Sequence, residues 1–324
     1  MMRTVGCLLA LFGLAAVEAA PAAAQAPAYI SQWGSMGGSN GQFLFPTTIT
    51  MNAAGDVYVT DTVNNRIQKF TNTGLYVTQW GTSGGGQGQF QFPLGIATDA
   101  AGDLYVTDTV NNRIQKFTGA GVYLDQWGTA GSGDGQLNNS SGIAIDPAGD
   151  VCLADAGNNR IQKFTGAGAY LTKWGTEGSG NGLFKYPFAV AADAAGNVYV
   201  ADAQNHRIQK FTGTGAYLTQ WGEAGSGDGQ FDNPHAIATD ATGNVYVADS
   251  GNNRIQKFTG AGTYLTQWGT LGSGDGQFDN PSGVTIDAAG NIYVVDNHNH
   301  RVQKFGYASP ATPATWGRVK AAYR

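Results

Sequence analysis

A unit of 47 residues repeats six times along the chain and limits what the chain can fold into. Residues 60–70 recur unchanged at 107–117, and six units account for residues 33–314. Almost no chain remains for a second domain. A fixed period of this length indicates a repeat architecture, in which each unit is one small supersecondary structure. The repeat is marked by Trp33, Trp80, Trp127, Trp174, Trp221 and Trp268.

Each unit divides into four short segments rich in branched and aromatic residues. In the second unit these are residues 95–99, 104–108, 113–117 and 122–127, separated by turns that contain Gly, Asn and Asp. Strands of about five residues joined by tight turns form antiparallel hairpins. Four strands per repeat is the pattern of a propeller blade. The sequence therefore predicts an all-β, six-bladed β-propeller of four-stranded antiparallel blades.

The two ends of the repeat array differ from the rest. The sixth unit has Pro310 and Pro313 where its fourth strand should run, and proline cannot donate to a strand ladder. Residues 28–33 instead match the fourth-strand pattern of residues 169–174. We therefore expect the N-terminal strand to complete the last blade and close the ring, which removes exposed sheet edges.

The first residues have the features of a secretory signal peptide. A basic start is followed by an apolar run over residues 5–17 and by Ala-x-Ala sites that end at Ala24 or Ala26. The apolar run is too short to span a bilayer. The predicted division is a signal peptide at 1–26, the propeller at 27–308 and a C-terminal tail at 309–324. The product is expected to be exported, periplasmic or extracellular, monomeric and not inserted in a membrane.

Charge and cysteine content exclude several partners. The net charge is −5, and most Lys and Arg residues belong to two ladders that recur once per unit. Nucleic-acid binding needs clustered cations, so no nucleic-acid partner is expected. After signal cleavage the single cysteine is Cys152, which cannot form an internal disulfide and is predicted to be a small buried residue.

Residues 202–211 read Asp-Ala-Gln-Asn-His-Arg-Ile-Gln-Lys-Phe and resemble the core of the NHL repeat. Four other units carry the same core with Asn in place of His. The resemblance covers essentially the whole predicted mature chain and implies a six-bladed propeller. NHL propellers include RNA- and protein-binding domains and exported bacterial proteins of unknown role, and related six-bladed propellers include lyases and lactonases. The chain has no Cys/His cluster for an accompanying zinc module.

Two charged ladders are interpreted as structural. In each unit one Asp and one Arg bracket the same hairpin turn, so each pair is expected to bridge within its blade. Residues identical in every blade are poor catalytic candidates, because a single active site needs asymmetry. The pairs are Asp61 and Arg66, Asp108 and Arg113, Asp155 and Arg160, Asp202 and Arg207, Asp249 and Arg254, and Asp296 and Arg301.

The sequence predicts no metal site and no cofactor. Zinc needs three or four converging ligands, whereas His206 and His300 are interpreted as turn residues and His235 stands alone. The recurring Gly-Ser-Gly-Asp-Gly-Gln segments lack the spaced carboxylates of a calcium loop and are interpreted as linkers between blades. Calcium is nevertheless left open as a possible ligand.

Functional residues are sought where the units differ, on the face formed by the loops between blades. These side chains are expected to surround the channel mouth, with Lys185 and Tyr186 beside Phe188. Their mixed chemistry suits a protein, peptide or glycan, although neutral drift is the alternative. An imidazole there predicts binding that responds to pH near about 6.5. The candidate ligand-binding residues are Thr47, Leu94, Ser141, Phe188, His235, Ser282 and His298.

Two functions from different classes remain. The first is an exported, non-catalytic propeller that acts as a binding scaffold through the channel-mouth face. The alternative is a propeller enzyme, a lyase or lactone hydrolase, that holds a metal over the central channel. An enzyme of that type needs carboxylates or imidazoles from several blades to converge, and no catalytic residue can be assigned from the sequence.

Overall fold

In the computed structural model, which describes residues 25–307, six four-stranded antiparallel sheets surround a central channel. This confirms the predicted six-bladed β-propeller. The predicted signal peptide, apart from its last two residues, and the predicted tail lie outside the described residues. Within the described part of the chain, no helix has the length and apolar character needed to cross a membrane.

The strands follow the repeat from the channel outwards. Blade 1 contains Pro46–Met51, Val57–Asp61, Arg66–Phe70 and Tyr76–Trp80, and blade 2 contains Pro93–Thr98, Leu104–Asp108, Arg113–Phe117 and Tyr123–Trp127. Blade 3 contains Ile143–Ile145, Val151–Asp155, Arg160–Phe164 and Tyr170–Trp174, and blade 4 contains Pro187–Ala192, Val198–Asp202, Arg207–Phe211 and Tyr217–Trp221. Blade 5 contains Pro234–Thr239, Val245–Asp249, Arg254–Phe258 and Tyr264–Trp268, and blade 6 contains Pro281–Ile286, Ile292–Asp296, Arg301–Gly306 and Ala28–Trp33.

Two short strands and three 3-10 turns complete the described secondary structure. Two-residue strands Thr129–Ala130 and Gln136–Leu137 pair in parallel in the loop between blades 2 and 3. Single 3-10 turns span Ala156–Asn158, Ala203–Asn205 and Ser250–Asn252, between the second and third strands of blades 3 to 5.

The hydrophobic core lies between neighbouring blades. One cluster joins Tyr58 and Ile67 of blade 1 to Ile96, Leu104 and Phe117 of blade 2, and all five are buried. Burial of a side chain of this size stabilises the fold by roughly 1.5–3 kcal/mol. Cys152 belongs to the equivalent cluster between blades 3 and 4 and is completely buried, as the sequence predicts.

The N-terminal strand closes the ring. Ala28–Trp33 pairs antiparallel with Arg301–Gly306, so blade 6 is assembled from both ends of the described chain. Trp33 then reaches into blade 1, where its ring lies 6.0 Å from that of Phe70. The predicted closure is confirmed, and the strand joins the first and last blades.

Deletion of residues 28–33 should lower the melting temperature by about 10 °C or more, because it opens blade 6 and uncovers the core beside Phe70. Deletion of residues 315–324 is the control and should leave the melting temperature unchanged. Calorimetry of both truncated proteins measures the difference. Equal melting temperatures would contradict closure by this strand.

Candidate functional site

A cavity of about 360 Å³ occupies the centre of the ring. Its wall is formed by the six inner strands, which contribute Ala, Ile and Val together with hydroxyl groups such as those of Thr50 and Thr98. None of the side chains that line it is Asp, Glu, Lys or Arg. The wall therefore favours an uncharged group, because a charge placed there would lose its hydration without gaining an ionic partner.

The loops around the channel mouth are held by the repeated Asp and Arg residues. Asp61 Oδ2 accepts a hydrogen bond from Arg66 Nε at 2.6 Å, and Asp61 Oδ1 accepts one from the backbone N–H of Leu44 at 2.8 Å. The other Arg66 nitrogens donate to the carbonyls of Gly38, Ser39 and Gln42. The aspartate side chain is completely buried and the arginine nearly so.

The same ion pair is present in all six blades. The Nε–Oδ2 distances lie between 2.6 and 2.8 Å for Asp61 and Arg66, Asp108 and Arg113, Asp155 and Arg160, Asp202 and Arg207, Asp249 and Arg254, and Asp296 and Arg301. A buried charge pair is tolerated only when hydrogen bonds satisfy its remaining atoms, as the loop carbonyls do here. Each pair therefore fastens the incoming loop to its own blade.

The turn position before each repeated arginine is Asn in four blades and His in the other two. Asn65 and His206 both adopt a left-handed conformation, with φ of 54°. Asn65 Oδ1 accepts a hydrogen bond from Phe92 N at 2.9 Å, and His206 Nδ1 accepts one from Asn233 N at 3.2 Å. Both side chains thus place a hydrogen-bond acceptor where the next blade presents a backbone N–H. For this reason either Asn or His can occupy this position of the repeat.

Three of the predicted ligand-binding residues form hydrogen bonds within the ring of blades through their hydroxyl groups. Thr47 Oγ1 lies 2.7 Å from Thr62 Oγ1 in its own blade. Ser141 Oγ donates to Phe188 O at 2.6 Å, and Ser282 Oγ donates to Thr47 O at 2.8 Å. All three predicted residues are buried. Their hydroxyls are thus already used by neighbouring strands, and a part of these residues in ligand binding stays a prediction.

Four of the predicted residues, Leu94, Ser141, Phe188 and His235, line the cavity. The Phe188 and His235 rings stack across the junction of blades 4 and 5, with centroids 4.4 Å apart and planes 22° from parallel. Nε2 of His235 lies 2.8 Å from Asn233 Nδ2. The two rings are half-buried. Within residues 25–307, no other two rings of the predicted ligand-binding residues stack at the mouth.

Burial lowers the pKa of His235 from its ordinary value of 6.5 to about 4. The imidazole is therefore neutral near neutral pH, because its surroundings penalise the charged form. The expected response of binding to pH near 6.5 is corrected for this residue and moves to more acidic conditions.

His298 lies on the same face but does not line the cavity. Its Nδ1 is 3.0 Å from Asp279 Oδ1, and its ring meets the edge of Phe45 at 5.8 Å. Tyr186 hydrogen-bonds to Asn139, and Lys185 is exposed. The structure thus places Leu94, Ser141, Phe188 and His235 around one cavity, whereas Thr47, Ser282 and His298 are not among its lining residues.

Two aromatic residues at the mouth, Phe45 and Phe92, were missed from the sequence, whereas Tyr186 was noted there only as a neighbour of Phe188. Phe45, Phe92 and Tyr186 directly precede the inner strands and adopt φ between 50° and 57°. Three other blades have Asn at this position. Bulky residues rarely adopt this conformation, and such strain is often found at ligand-binding sites. The signal in the sequence was an aromatic residue where the repeat otherwise places asparagine.

The opposite end of the channel differs in chemistry. A cavity of about 410 Å³ is lined there by small turn residues together with Met51, Asn72 and Asp287. Asp287 Oδ1 accepts hydrogen bonds from Ala289 N and Asn291 N, so this oxygen serves the turn itself. Within the described part of the chain, no three His, Cys, Asp or Glu residues are grouped to hold a metal.

The fold and the repeat contacts define a class, a six-bladed propeller whose blades are fastened by a buried Asp–Arg pair. The NHL repeat matches residues 43–70, 90–117, 137–164, 184–211, 231–258 and 278–305. The chain belongs to the NHL repeat family. No curated protein matches the sequence.

Similar solved structures are distant in sequence and support the fold alone. A protein of unknown function from Bacteroides thetaiotaomicron has 16% identity and a TM-score of 0.66, covering 85% of this chain and 76% of that one. An auxiliary nutrient binding protein from Bacteroides ovatus has 16% identity and a TM-score of 0.59, covering 80% and 68%. Virginiamycin B lyase from Staphylococcus aureus has 18% identity and a TM-score of 0.56, covering 81% and 80%.

The substitution Asp202→Asn should lower the free energy of unfolding by about 3–5 kcal/mol, because Arg207 would remain buried without its carboxylate. Urea denaturation measures this change. Asp134→Asn, which removes the exposed partner of Lys173, is the control and should leave the stability essentially unchanged. Equal effects of the two substitutions would show that the repeated pair has no special structural role.

NMR titration of the histidine rings should give a pKa of about 4 for His235. The unfolded chain binds this proton near pH 6.5, so the stability that the neutral ring contributes is present above 6.5 and is lost as the pH falls towards 4. Phe188→Ala should raise the pKa because it hydrates the ring, whereas Leu94→Ala in blade 2 should not. An ordinary pKa in the unmodified protein would contradict the burial of His235.

Proposed function

We propose that this protein is a non-catalytic binding propeller that takes its ligand at the channel mouth. The observation that carries the proposal is the stacked Phe188–His235 pair at the rim of an uncharged cavity. A concave apolar site with a few polar groups is the usual form of a ligand site. The repeated residues of the six blades serve the fold, and Phe188 and His235 are not among them.

The ligand is expected to be a peptide, a segment of a protein or a glycan. Aromatic rings supply contact area at a small entropic cost and are enriched at binding hot spots. The neutral His235 can form hydrogen bonds without presenting a charge. Phe45 and Phe92, which are 40% and 47% exposed, extend the aromatic surface over blades 1 and 2.

The biological setting of the proposal follows from the sequence. The predicted signal peptide supports an exported protein, periplasmic or extracellular, and we expect the propeller to act as a monomer. The even distribution of its basic residues gives no support for a nucleic-acid partner. The nutrient binding protein from Bacteroides ovatus shows that a similar fold is associated with a binding role, although at 16% identity it supports only the fold of this chain.

A lyase-like enzyme is the second candidate, and the similarity to virginiamycin B lyase is the observation that favours it. Such a reaction needs acid–base groups or metal ligands that converge from several blades. Among the residues that line the described cavity, His235 is the one titratable imidazole, and neither Asp nor Glu accompanies it. The binding role is therefore better supported.

Peptide and glycan arrays should identify a ligand for the protein, and Phe188→Ala/His235→Ala should weaken that binding by about tenfold or more, as expected when a central aromatic contact is lost. Ala288→Glu, which changes the opposite cavity, is the matched control and should bind normally. A ligand whose affinity falls only in the control variant would place the site on the opposite face. Turnover of an arrayed compound would favour the enzyme.

A further inference from the structure

Side-chain hydrogen bonds connect neighbouring blades at the mouth end of the channel. In five of the six junctions, a hydroxyl or amide of one blade donates to a carbonyl at the start of the next inner strand. The distances are 2.9 Å for Thr62 to Pro93 O, 2.8 Å for Thr109 to Ser140 O, 2.6 Å for Ser141 to Phe188 O, 2.5 Å for Ser250 to Pro281 O and 2.7 Å for Asn297 to Pro46 O.

The junction of blades 4 and 5 is the exception. Ala203 occupies the position of Thr62, and Phe188 occupies the position of Ser141. No described side chain of blade 4 donates to the carbonyl of Pro234 or His235. We call this corner, formed by Phe188, Ala203, Pro234 and His235, the blade 4–5 seam.

Between blades 4 and 5, the side-chain hydrogen bond is missing only at the mouth end of the channel. At the far end of the same inner strands, Thr239 Oγ1 donates to Ala192 O at 2.9 Å. At the outer side, Asn233 N donates to His206 Nδ1 at 3.2 Å. The two blades are therefore held at both neighbouring positions, so the seam can open locally without separating the blades. Regions that open locally are where binding surfaces are commonly found.

The stacked rings of Phe188 and His235 bridge this seam. Their centroid separation of 4.4 Å is close to aromatic contact, so no group fits between them while the seam is closed. A flat ring inserted between them would replace one stacking contact by two. A bulky tetrahedral group would force the rings further apart and gain less contact.

We propose that the seam is a slot for a flat, uncharged aromatic ring, the aromatic side chain of a peptide ligand, which inserts between Phe188 and His235. This rests on the proposed function, because it assumes that ligands bind at the mouth. The uncharged wall and the neutral His235 exclude a charged ring. The absent hydrogen bond lowers the free energy needed to separate the two rings.

The test uses Ala203→Ser, which copies Ser250 of the next blade and should supply the missing hydrogen bond to Pro234 O. Ala156→Ser is the matched control, because it alters the same position at a junction that Ser141 already fastens. The probe is N-acetyltryptophanamide at millimolar concentrations, followed through the ring signals of His235 in NMR spectra. The control should bind like the unmodified protein, whereas Ala203→Ser should bind about tenfold more weakly, the effect of one hydrogen bond.

N-acetylleucinamide and cellobiose separate this inference from the proposed function. Leucinamide should leave the His235 signals unchanged, and equal shifts from it would overturn the requirement for a flat ring. Cellobiose binding at His235 without tryptophanamide binding would overturn the aromatic slot but keep a ligand site at the mouth. Unchanged His235 signals with all three probes would overturn the slot, while the peptide and glycan arrays still test the proposed function.

A second variant guards against an effect of folding. Ala203→Thr copies Thr62 and should weaken tryptophanamide binding as Ala203→Ser does, while both variants keep or raise the melting temperature. Hydrogen exchange at the backbone amide of Ala236 should also slow in both, because the seam opens less often. If a folded variant with slowed exchange bound tryptophanamide as tightly as the unmodified protein does, this would overturn the role of the seam.

Discussion

The buried ion pair between Asp61 and Arg66, and its five copies, is the interaction on which the mouth depends. The aspartate is out of water, so its charge is acceptable only because Arg66 and the backbone of Leu44 bind it. The arginine in turn holds the carbonyls of the incoming loop. One pair per blade therefore fixes the loop that leads to each inner strand, and the six loops together form the rim of the channel.

These contacts explain why few positions at the mouth differ in sequence between the blades. A change in the Asp or Arg would leave a buried charge without its partner, so variation is confined to positions that the pair does not use. Ser141 and Ser282 occupy the same repeat position in blades 3 and 6, and their hydroxyls donate hydrogen bonds to the next blade. Phe188 and His235 occupy this position in blades 4 and 5 and have no hydroxyl to donate. The proposed site therefore lies at the junction of blades 4 and 5, where the repeat position supplies no such hydrogen bond.

Much of the fold could be predicted because strands and turns leave a local signature. The second and third strands of blade 2, Leu104–Asp108 and Arg113–Phe117, were predicted at their observed bounds, and closure by Ala28–Trp33 followed from its match to other outer strands. Burial of Ser141 could not be predicted, because its partner, Phe188 O, lies in the next blade. The lowered pKa of His235 depends likewise on packing across a junction, which no local pattern reports.

We propose that recognition occurs where the blades differ, at Phe188 and His235, and not at the residues that all blades share. A crystal structure with the tightest-binding peptide or glycan from an array tests this most directly. Ligand density should lie against the rings of Phe188 and His235 at the mouth of the channel. Density confined to the opposite cavity beside Met51 and Asp287, or to the outer strands, would contradict it.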